Sequence, residues 1–465
     1  MEKNLFGTDG IRGVAGLPPL DPATIFAAAA CLGQHLRRSS ARPRVIIGED
    51  PRESSRWIAE TVTAGLTEAG AEILSAGIVT TPGLAYLSSH GGFDAGVMIS
   101  ASHNPYSDNG IKVFAATGYK LPDNDEKQIE ELIFRALASE SGPQPYRRQL
   151  DPDPELAKRY LESLQQSAPP PARLRGKKLL LDCANGSASE FAAEVFSGIG
   201  LELNIISAQP DGRNINLNCG SLHLEKLQRA VVAEKADLGI AFDGDADRAL
   251  FVSASGNVVN GDGVLLAAGR HMKQHGTLRG GAVVGTVMSN LGLEHALARE
   301  GLKLLRTAVG DKYVLEEMLR SGCNLGGEQS GHVIFSDLAK TGDGLLTALQ
   351  VLRIMSDEEK SLEQLVEGLR VFPQTIRNVR VRQRVPLESV PQVMEQIRSS
   401  ERSLGSSGRI VVRYSGTELL ARVMVEAESA ADVELHTAAI VRAIEQHIGS
   451  ERIPSAESGV AVNPQ

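Results

Sequence analysis

One pattern occurs three times in the sequence, and this repeat constrains the fold more than any other feature. Each copy begins with a short apolar run, and a second apolar run follows roughly 20–30 residues later. This interval is typical of parallel strands joined by a crossover helix. The first runs are Arg44–Gly48, Lys178–Asp182 and Ala282–Thr286, and the second runs are Glu72–Leu74, Glu202–Ile206 and Leu302–Leu305. The repeat predicts three related α/β domains.

A third apolar run completes each copy and leads directly into a polar loop. The runs are Asp94–Ile99, Asp237–Phe242 and Cys323–Leu325, and the loops that follow them are Ser100–Pro105, Asp243–Arg248 and Gly326–His332. Open α/β sheets bind ligands at the carboxyl ends of their strands. Since all three unusual loops follow the third strand of a domain, we expect them to contain the functional residues.

The pattern changes after Phe372 and Pro373. Asn378–Arg382 alternates like a half-exposed strand, Gly408–Glu426 contains two β-rich runs, and a helix is predicted from about Ser429 to His447. The fold class is therefore α/β, with three tandem related α/β domains on mixed sheets and a smaller α+β C-terminal domain. The predicted domains are 1–150, 151–252, 253–368 and 369–450, and the segment 451–465 is predicted to be a flexible tail.

Composition and charge exclude several classes of protein. The 465 residues contain 48 Lys and Arg against 57 Asp and Glu, a net charge of −9, which argues against general nucleic-acid binding. No apolar run approaches the ~20 residues that a membrane span needs, and no signal-peptide core is present. The four cysteines lack metal-type spacing. We expect a reduced, cytoplasmic protein without nucleic-acid or membrane partners.

The second polar loop places Asp243, Asp245 and Asp247 at alternate positions. On a helix the middle carboxylate would point away from the other two, whereas on an extended loop all three can converge. Three carboxylates without sulfur or imidazole suit a hard cation, Mg²⁺ above all. A calcium EF-hand is excluded because Arg248 and Ala254 stand where that loop needs Gly and Glu. A magnesium site is predicted, with a solvated acidic turn as the alternative.

The first polar loop offers a candidate nucleophile. Ser100–Pro105 contains two hydroxyls, an imidazole and an amide, and no Gly-x-Ser-x-Gly elbow indicates an α/β-hydrolase. A serine needs a base, a metal or a polarised electrophile to react. Because the aspartate loop occupies the equivalent place in the next domain, the pair indicates phosphoryl transfer onto serine. An ordinary Ser- and Asn-rich loop is the alternative.

The remaining motifs contain groups that bind sugars or anions. Glu328 and Ser330 suit a polyhydroxylated ligand, and His332 is a candidate proton carrier, although a single histidine is more often structural. Arg413–Thr417 with Arg422 is typical of an anion site and equally of a hairpin turn with surface arginines. Two further cations, Arg12 and Lys112, lie beside glycines and either clamp a phosphate or belong to surface turns.

Together these residues resemble the α-D-phosphohexomutase superfamily. The loops Ser100–Pro105 and Asp243–Arg248 are very specific for it, and Phe6–Gly13, Val287–Gly292 and Glu328–His332 favour its glucosamine branch. Glucose and mannose mutases usually differ where Gln329 stands. The match extends in order over Phe6–Gly13, Ile99–Lys112, Pro210–Ser221, Phe242–Arg248, Val284–Leu293, Gly326–His332, Thr341–Gly344 and Arg413–Glu426.

The resemblance implies four domains around a central cleft and the interconversion of glucosamine 6-phosphate and glucosamine 1-phosphate, on the route to cell-wall amino sugars. Ser102 would be the phosphoserine, and its oxygen with Asp243, Asp245 and Asp247 would hold one Mg²⁺ ion. Glu328 and Ser330 would bind sugar hydroxyls. The non-reacting phosphate would bind to Arg413, Ser415, Gly416, Thr417 and Arg422. Arg12, Lys112, Arg248 and His332 would surround the reacting phosphate, with Lys112 and His332 as acid/base candidates.

By the same resemblance, phospho-Ser102 gives its phosphoryl group to the sugar and forms glucosamine 1,6-bisphosphate, which is intermediate and activator. The intermediate reorients and Ser102 takes back the other phosphate. A monomer or homodimer is expected. The phosphate loop departs from the family pattern at Tyr414, Leu419 and Ala421. The alternatives are a phosphoglucomutase or phosphomannomutase, a non-catalytic phosphosugar-binding protein and a serine phosphatase.

Overall fold

The computed structural model describes residues 5–7, 9–139, 142–170, 173–415 and 419–450. The predicted tail over 451–465 and the loop residues Gly416 and Thr417 lie outside these ranges. The described chain contains four separate sheets. It divides into two compact units: the first is 1–286 with Leu302–Glu367, and the second is Val287–Gly301 with the residues from Gly368 onward. None of the helices in these ranges is long and apolar enough to cross a bilayer.

The first sheet has the strand order β1-β5-β4-β2-β3. Its elements are β1 (Ile11–Val14), α1 (Pro22–Leu36), β2 (Arg44–Glu49), α2 (Ser55–Glu68), β3 (Glu72–Ile78), α3 (Thr81–His90), β4 (Ala95–Ile99), β5 (Asp108–Ala115) and α4 (Asp123–Leu137). Strands β2, β3 and β4 run parallel, and β5 pairs antiparallel with β4. Helix α1 begins where the Asp21 carboxylate accepts the amides of Ala23 and Thr24. The first unit therefore begins with a mixed sheet, as predicted.

The second sheet repeats this arrangement in the order β10-β9-β8-β6-β7. Its region contains α5 (Pro154–Gln166), β6 (Lys178–Asp182), α6 (Ala192–Ser197), β7 (Glu202–Ile206), α7 (Glu225–Ala233), β8 (Leu238–Phe242), β9 (Ala249–Ser253) and β10 (Val258–Val259). The hairpin of β9 and β10 crosses the domain boundary predicted at 252, because the two strands pair with each other. The sheet therefore extends beyond that boundary.

The third sheet has the order β12-β11-β13-β14 and again places an antiparallel strand beside the third parallel one. Its region contains α8 (Gly261–Gln274), β11 (Ala282–Thr286), α9 (Leu291–Arg299), β12 (Lys303–Thr307), α10 (Asp311–Ser321), β13 (Leu325–Gly327), β14 (Val333–Phe335), α11 (Gly344–Glu358) and α12 (Leu362–Leu365). The third polar loop begins in the last two residues of β13, whereas the equivalent loops directly follow β4 and β8. The threefold repeat predicted from the sequence is confirmed.

The fourth sheet is smaller and entirely antiparallel, with the order β15-β17-β16. Its region contains β15 (Gln374–Arg380), α13 (Pro391–Leu404), β16 (Gly408–Tyr414), β17 (Leu420–Ala427) and α14 (Ala430–Ile448). Apolar residues of β17 and of both helices form one core, which includes Val393, Val423 and Ile440. This arrangement confirms the predicted α+β C-terminal domain.

Helix α9 lies in the second unit, although the predicted boundaries assign it to the third domain. A buried ion pair explains this placement. The Arg409 Nε donates to Glu426 at 2.5 Å, and its terminal nitrogens donate to the carbonyls of Val287 at 2.8 Å and Ser289 at 2.6 Å. Glu426 is fully buried and also accepts the Leu291 amide at 2.9 Å. These bonds attach the segment before α9 to the fourth sheet.

We expect Arg409→Ala to destabilise the second unit by about 3–5 kcal/mol, because it leaves the buried Glu426 charge without a partner. Arg402→Ala is the matched control: Arg402 pairs with Glu395 at 2.9 Å, but both side chains are 65% exposed, so its loss should cost no more than about 1 kcal/mol. Hydrogen exchange of the β17 amides in the full chain measures both effects. Equal protection in the two variants would contradict the prediction.

Candidate active site

Ser102 lies just beyond the carboxyl end of β4 and reaches the aspartate loop that follows β8. Its backbone is in the left-handed region, with φ of 52°, and its side chain is buried. The Ser102 Oγ donates to Asp243 Oδ2 at 2.6 Å and lies 3.1 Å from His103 Nδ1. The structure therefore brings together the two polar loops that the sequence analysis singled out, and adds His103, which that analysis counted only as an imidazole of the loop.

The three aspartates converge as a possible metal site. Asp243, Asp245 and Asp247 are buried, and one ligand oxygen from each lies within 4.8 Å of the others. The Oδ1 atoms of Asp245 and Asp247 have no hydrogen-bond donor among the described residues. Burial and the neighbouring negative charges raise the pKa of Asp243 well above its usual range. An all-oxygen set with free carboxylate oxygens and excess negative charge fits a hard divalent cation.

Thr81 at the start of α3 contacts one of these carboxylates from the first domain. Its Oγ1 donates to Asp245 Oδ2 at 2.5 Å, and its amide donates to the Asp245 carbonyl at 3.0 Å. With one Asp245 oxygen occupied, the free Oδ1 is left for a ligand. Thr81 was not predicted as a site residue, because nothing in the local pattern relates it to a loop of another domain.

Lys112 on β5 is a fully buried cation among acidic side chains. Its Nζ lies 2.9 Å from Asp245 Oδ2, 3.1 Å from Asp9 Oδ2 and 3.9 Å from Asp247 Oδ2. Burial lowers the pKa of Lys112, but these carboxylates raise it by more, to well above its ordinary value. The side chain is therefore held as an ammonium that neutralises the carboxylates.

A second lysine, which the sequence analysis did not identify, extends this network. The Lys120 Nζ lies 2.6 Å from Asp9 Oδ1 and 2.7 Å from Asp311 Oδ2 at the start of α10. Burial raises the pKa of Asp9, but Lys112, Lys120 and Arg12 lower it by more, to well below its usual range. Asp9 lay inside the motif Phe6–Gly13 and could have been found there, whereas Lys120 and Asp311 carry no sequence signal.

The two predicted arginines of the first unit contact the two loops that meet at Ser102. Arg12 on β1 forms an ion pair with Asp9, and its Nη1 donates to the Ala101 carbonyl at 3.3 Å. The Arg248 amide donates to Asp243 Oδ1 at 3.1 Å, and its Nε lies 3.7 Å from Asp247 Oδ1. Burial, followed by the charges of these two arginines, lowers the pKa of His103 to about 4. His103 is therefore neutral at pH 7.

His332 is buried, and both of its ring nitrogens are engaged. Its Nδ1 lies 3.6 Å from Asp247 Oδ2, and its Nε2 accepts the Gly342 amide at 3.1 Å. Burial lowers the pKa of His332, but Asp247, Asp311 and Glu328 raise it by more, to about 9. While the Gly342 amide donates to it, Nε2 carries no proton, and the ring proton is on Nδ1, which faces Asp247.

The third loop holds the predicted sugar-binding residues between β13 and β14. The Glu328 Oε1 accepts the Gly310 amide at 3.1 Å, which orients the carboxylate from one side. The Ser330 Oγ is buried and has no hydrogen-bond partner within the described part of the chain. A buried hydroxyl without a partner is costly unless a ligand or water satisfies it. Ser330 is therefore available to a ligand.

The predicted phosphate site lies in the second unit. Arg413 on β16 stands directly opposite Arg422 on β17, so both side chains are on one face of the sheet. The Arg422 Nε has no hydrogen-bond partner among the described residues. Ser415 lies at the end of β16 and donates its amide to the Leu420 carbonyl at 2.8 Å. Two guanidinium groups on one face of a sheet suit an anion. Gly416 and Thr417 lie outside the described residues.

Four family models match the chain, one for each domain. They are the phosphoglucomutase/phosphomannomutase alpha/beta/alpha domains I, II and III, over residues 3–140, 158–256 and 260–372, and the C-terminal domain of the same family over 377–443. Full-length relatives agree. A phosphoglucosamine mutase of Solibacter usitatus is 52% identical over 449 residues, with 97% of this chain and all of the relative covered. One of Koribacter versatilis is 52% identical, with 96% and 98% covered.

Solved structures show the same fold. A phosphoglucomutase/phosphomannomutase family protein of Burkholderia thailandensis has a TM-score of 0.78 at 22% identity, with 96% of this chain and 98% of that chain covered. An Aspergillus fumigatus N-acetylphosphoglucosamine mutase, solved with GlcNAc-6P and magnesium, has a TM-score of 0.63 at 18% identity, with 95% of each chain covered. With its four matched domains and its full-length relatives, this chain belongs to the phosphoglucomutase/phosphomannomutase family.

Proposed function

We propose that the chain interconverts glucosamine 6-phosphate and glucosamine 1-phosphate through a phosphorylated Ser102. The observation on which this rests is the 2.6 Å contact between the Ser102 Oγ and Asp243 in a buried carboxylate triad. A nucleophilic serine beside an acidic metal site is the arrangement that phosphoryl transfer needs. The full-length relatives named phosphoglucosamine mutase support glucosamine as the sugar.

The reaction consists of two phosphoryl transfers, one from Ser102 to the sugar and one from the sugar back to Ser102. The bond between phosphorus and the Ser102 Oγ breaks as a bond to the free sugar hydroxyl forms, and the hydroxyl proton passes to a protein base. The Ser102 Oγ takes up a proton as it is released. The resulting glucosamine 1,6-bisphosphate turns around, the Ser102 Oγ loses its proton as it bonds to the other phosphorus, and the sugar oxygen that this phosphorus leaves takes up a proton. Since one bisphosphate binds in two orientations, the same protein groups must accept either phosphate.

Three side chains near Ser102 are candidates for the group that transfers the proton. Lys112 is held as an ammonium by three carboxylates, so it suits charge neutralisation better than proton transfer. His332 has both ring nitrogens engaged and orients Asp247. His103 is neutral, and its Nδ1 lies 3.1 Å from the Ser102 Oγ. We therefore place proton transfer at the serine oxygen on His103 and keep Arg12 and Arg248 as phosphate-binding cations.

Asp243, Asp245 and Asp247, with the phosphoserine oxygen, would hold one Mg²⁺ ion. Bound there, Mg²⁺ neutralises the negative charge that develops on the transferred phosphoryl group. The protein's own contribution is to present free carboxylate oxygens, since Thr81 and Lys112 occupy only the Oδ2 atom of Asp245. The ion is assigned as magnesium because the site offers oxygen ligands alone.

The sugar and the distal phosphate are assigned to the remaining motifs. Glu328 and Ser330 would bind sugar hydroxyls through the oriented carboxylate and the unpartnered hydroxyl. Arg413 and Arg422, with Ser415, Gly416 and Thr417, would bind the non-reacting phosphate. We place the protein in the cytoplasm, which the four free and buried cysteines support. A monomer or homodimer stays a prediction.

Replacing the nucleophile tests the proposed reaction. Ser102→Ala should lower mutase activity by at least about 10³-fold, because no phosphoenzyme can form. The assay supplies Mg²⁺ and a trace of glucosamine 1,6-bisphosphate, and compares glucosamine 1-phosphate with glucose 1-phosphate and mannose 1-phosphate. The glucosamine substrate should have a kcat/KM at least about tenfold higher, a difference of roughly 1.4 kcal/mol in transition-state binding. Equal or better turnover of glucose 1-phosphate would contradict the assigned sugar.

Metal binding is tested without turnover. Mg²⁺ in excess should raise the melting temperature of the wild-type chain, because a ligand that binds only the folded state stabilises it. A concentration of 100 times Kd contributes about 2.7 kcal/mol. Asp247→Asn should remove most of this shift, and the exposed Asp151→Asn should leave it unchanged. An undiminished shift in Asp247→Asn would place the metal elsewhere.

A further inference from the structure

The backbone of Ser102 adopts a conformation that only a constrained loop maintains. Its φ of 52° lies in the left-handed region, which a residue with a Cβ rarely occupies. The Ser102 amide donates to the Ser100 Oγ at 2.9 Å. The Ser102 carbonyl accepts two side-chain donors, Arg52 Nη2 at 2.8 Å and Asn216 Nδ2 at 2.9 Å. The loop is therefore fixed on both sides of the nucleophile.

Arg52 is the centre of this arrangement. Its guanidinium is completely buried, its Nη2 also donates to the Asn104 carbonyl at 2.9 Å, and its Nη1 donates to the Pro105 carbonyl. The remaining Nε donates to Asp50 Oδ2 at 2.9 Å. Because all three nitrogens are engaged with the protein, Arg52 is not exposed to a substrate and acts only through the loop.

Asp50, at the end of β2, extends this arrangement to the residue before the nucleophile. Its Oδ2 accepts the Ser100 Oγ at 2.7 Å, and its Oδ1 accepts the Ser55 Oγ at 2.8 Å. Ser100 in turn accepts the Ser102 amide. One buried carboxylate therefore holds the amide side of Ser102, while its partner Arg52 holds the carbonyl side.

The second domain also contacts the Ser102 loop. The Asn216 Nδ2 donates to the Asn104 carbonyl at 3.1 Å as well as to Ser102, so it shares both acceptors with Arg52. Gly244 packs so closely that a Cβ there would lie 2.5 Å from the Ser102 carbonyl oxygen. Gly244 follows Asp243 directly. The contacts of Asn216 and Gly244 therefore act on the same two loops that meet at the Ser102 Oγ.

We infer that Arg52 is a positioning residue for phosphoryl transfer and that Asn216 is its partner. Together they hold Ser102 in the conformation that directs its Oγ toward Asp243. The inference rests on the proposed role of Ser102 as phosphoryl carrier. A buried ion pair is a weak source of stability compared with apolar packing, whereas the planar guanidinium fork of arginine fixes several acceptors in one geometry. Arg52 thus acts on the rate of transfer rather than on the binding of the sugar.

Arg52→Lys separates charge from geometry. The lysine ammonium keeps the charge opposite Asp50 but lacks the planar fork that holds three carbonyls. Misplacing a nucleophile by about 1 Å costs on the order of 100-fold in rate. We therefore expect kcat to fall about 100-fold, with KM within about threefold of wild type. The formation of phospho-Ser102 from labelled glucosamine 1,6-bisphosphate in a single turnover should slow by the same factor.

Two further variants keep the inference falsifiable. Arg353→Lys is the matched control, because Arg353 Nη2 also donates to two carbonyls, those of Ser167 and Ala168 at 3.0 Å each, in a loop without a proposed role in the reaction. Its kcat should be unchanged. Asn216→Ala should lower kcat about tenfold at unchanged KM, and its effect should be less than additive with that of Arg52→Lys. If Arg52→Lys does not fold, the kcat and KM of Asn216→Ala alone test the inference.

The outcomes distinguish this inference from the proposed function. Wild-type rates of phospho-Ser102 formation in folded Arg52→Lys and Asn216→Ala would overturn the positioning role while Ser102→Ala stayed inactive. A loss of activity that only follows the folded fraction, measured by thermal denaturation, would also overturn it. Full activity in Ser102→Ala would instead refute the proposed function. A fall in kcat with unchanged KM in Arg52→Lys, together with wild-type kinetics in Arg353→Lys, supports the positioning role.

Discussion

The burial of three carboxylates at one point is the constraint on which the rest of the first unit depends. Like charges removed from water repel each other and raise each other's pKa, as at Asp243. The chain offsets this with Lys112, fully buried on β5, and with Arg248 next to the aspartates. Three α/β domains must therefore pack so that their charges meet at the loops, and the surplus negative charge is left for a cation.

The sequence predicted the sheets well because each strand follows a local rule. The parallel strands are short, mostly apolar runs bounded by turn residues, so β6, β7 and β11 were predicted to the residue. The loops after β4, β8 and β13 were found for the same reason, since the end of a parallel strand fixes where its loop lies. The three aspartates lie in one short segment, and their alternate spacing was enough to predict that they converge on an extended loop.

The remaining contacts could not be predicted because they join residues that are distant in sequence. Lys120 meets Asp311, and Asn216 meets the Ser102 loop, yet no spacing rule relates these positions. The contacts of helix α9 could not be predicted for the same reason: its local pattern fits a crossover helix of the third domain, whereas the bonds of Arg409 attach the segment before it to the fourth sheet. A repeat predicts what is common to the domains and says nothing about the contacts between them.

Both units contain the same device, a buried acid paired with an arginine that donates to backbone carbonyls. Asp50 and Arg52 hold the Ser102 loop, and Glu426 and Arg409 hold the segment before α9. Apolar residues of similar volume would stabilise such positions as well or better. They could not select one loop conformation, because they offer the carbonyl groups no donors. The buried charge is therefore better explained by the geometry that it imposes on a loop than by the stability that it adds.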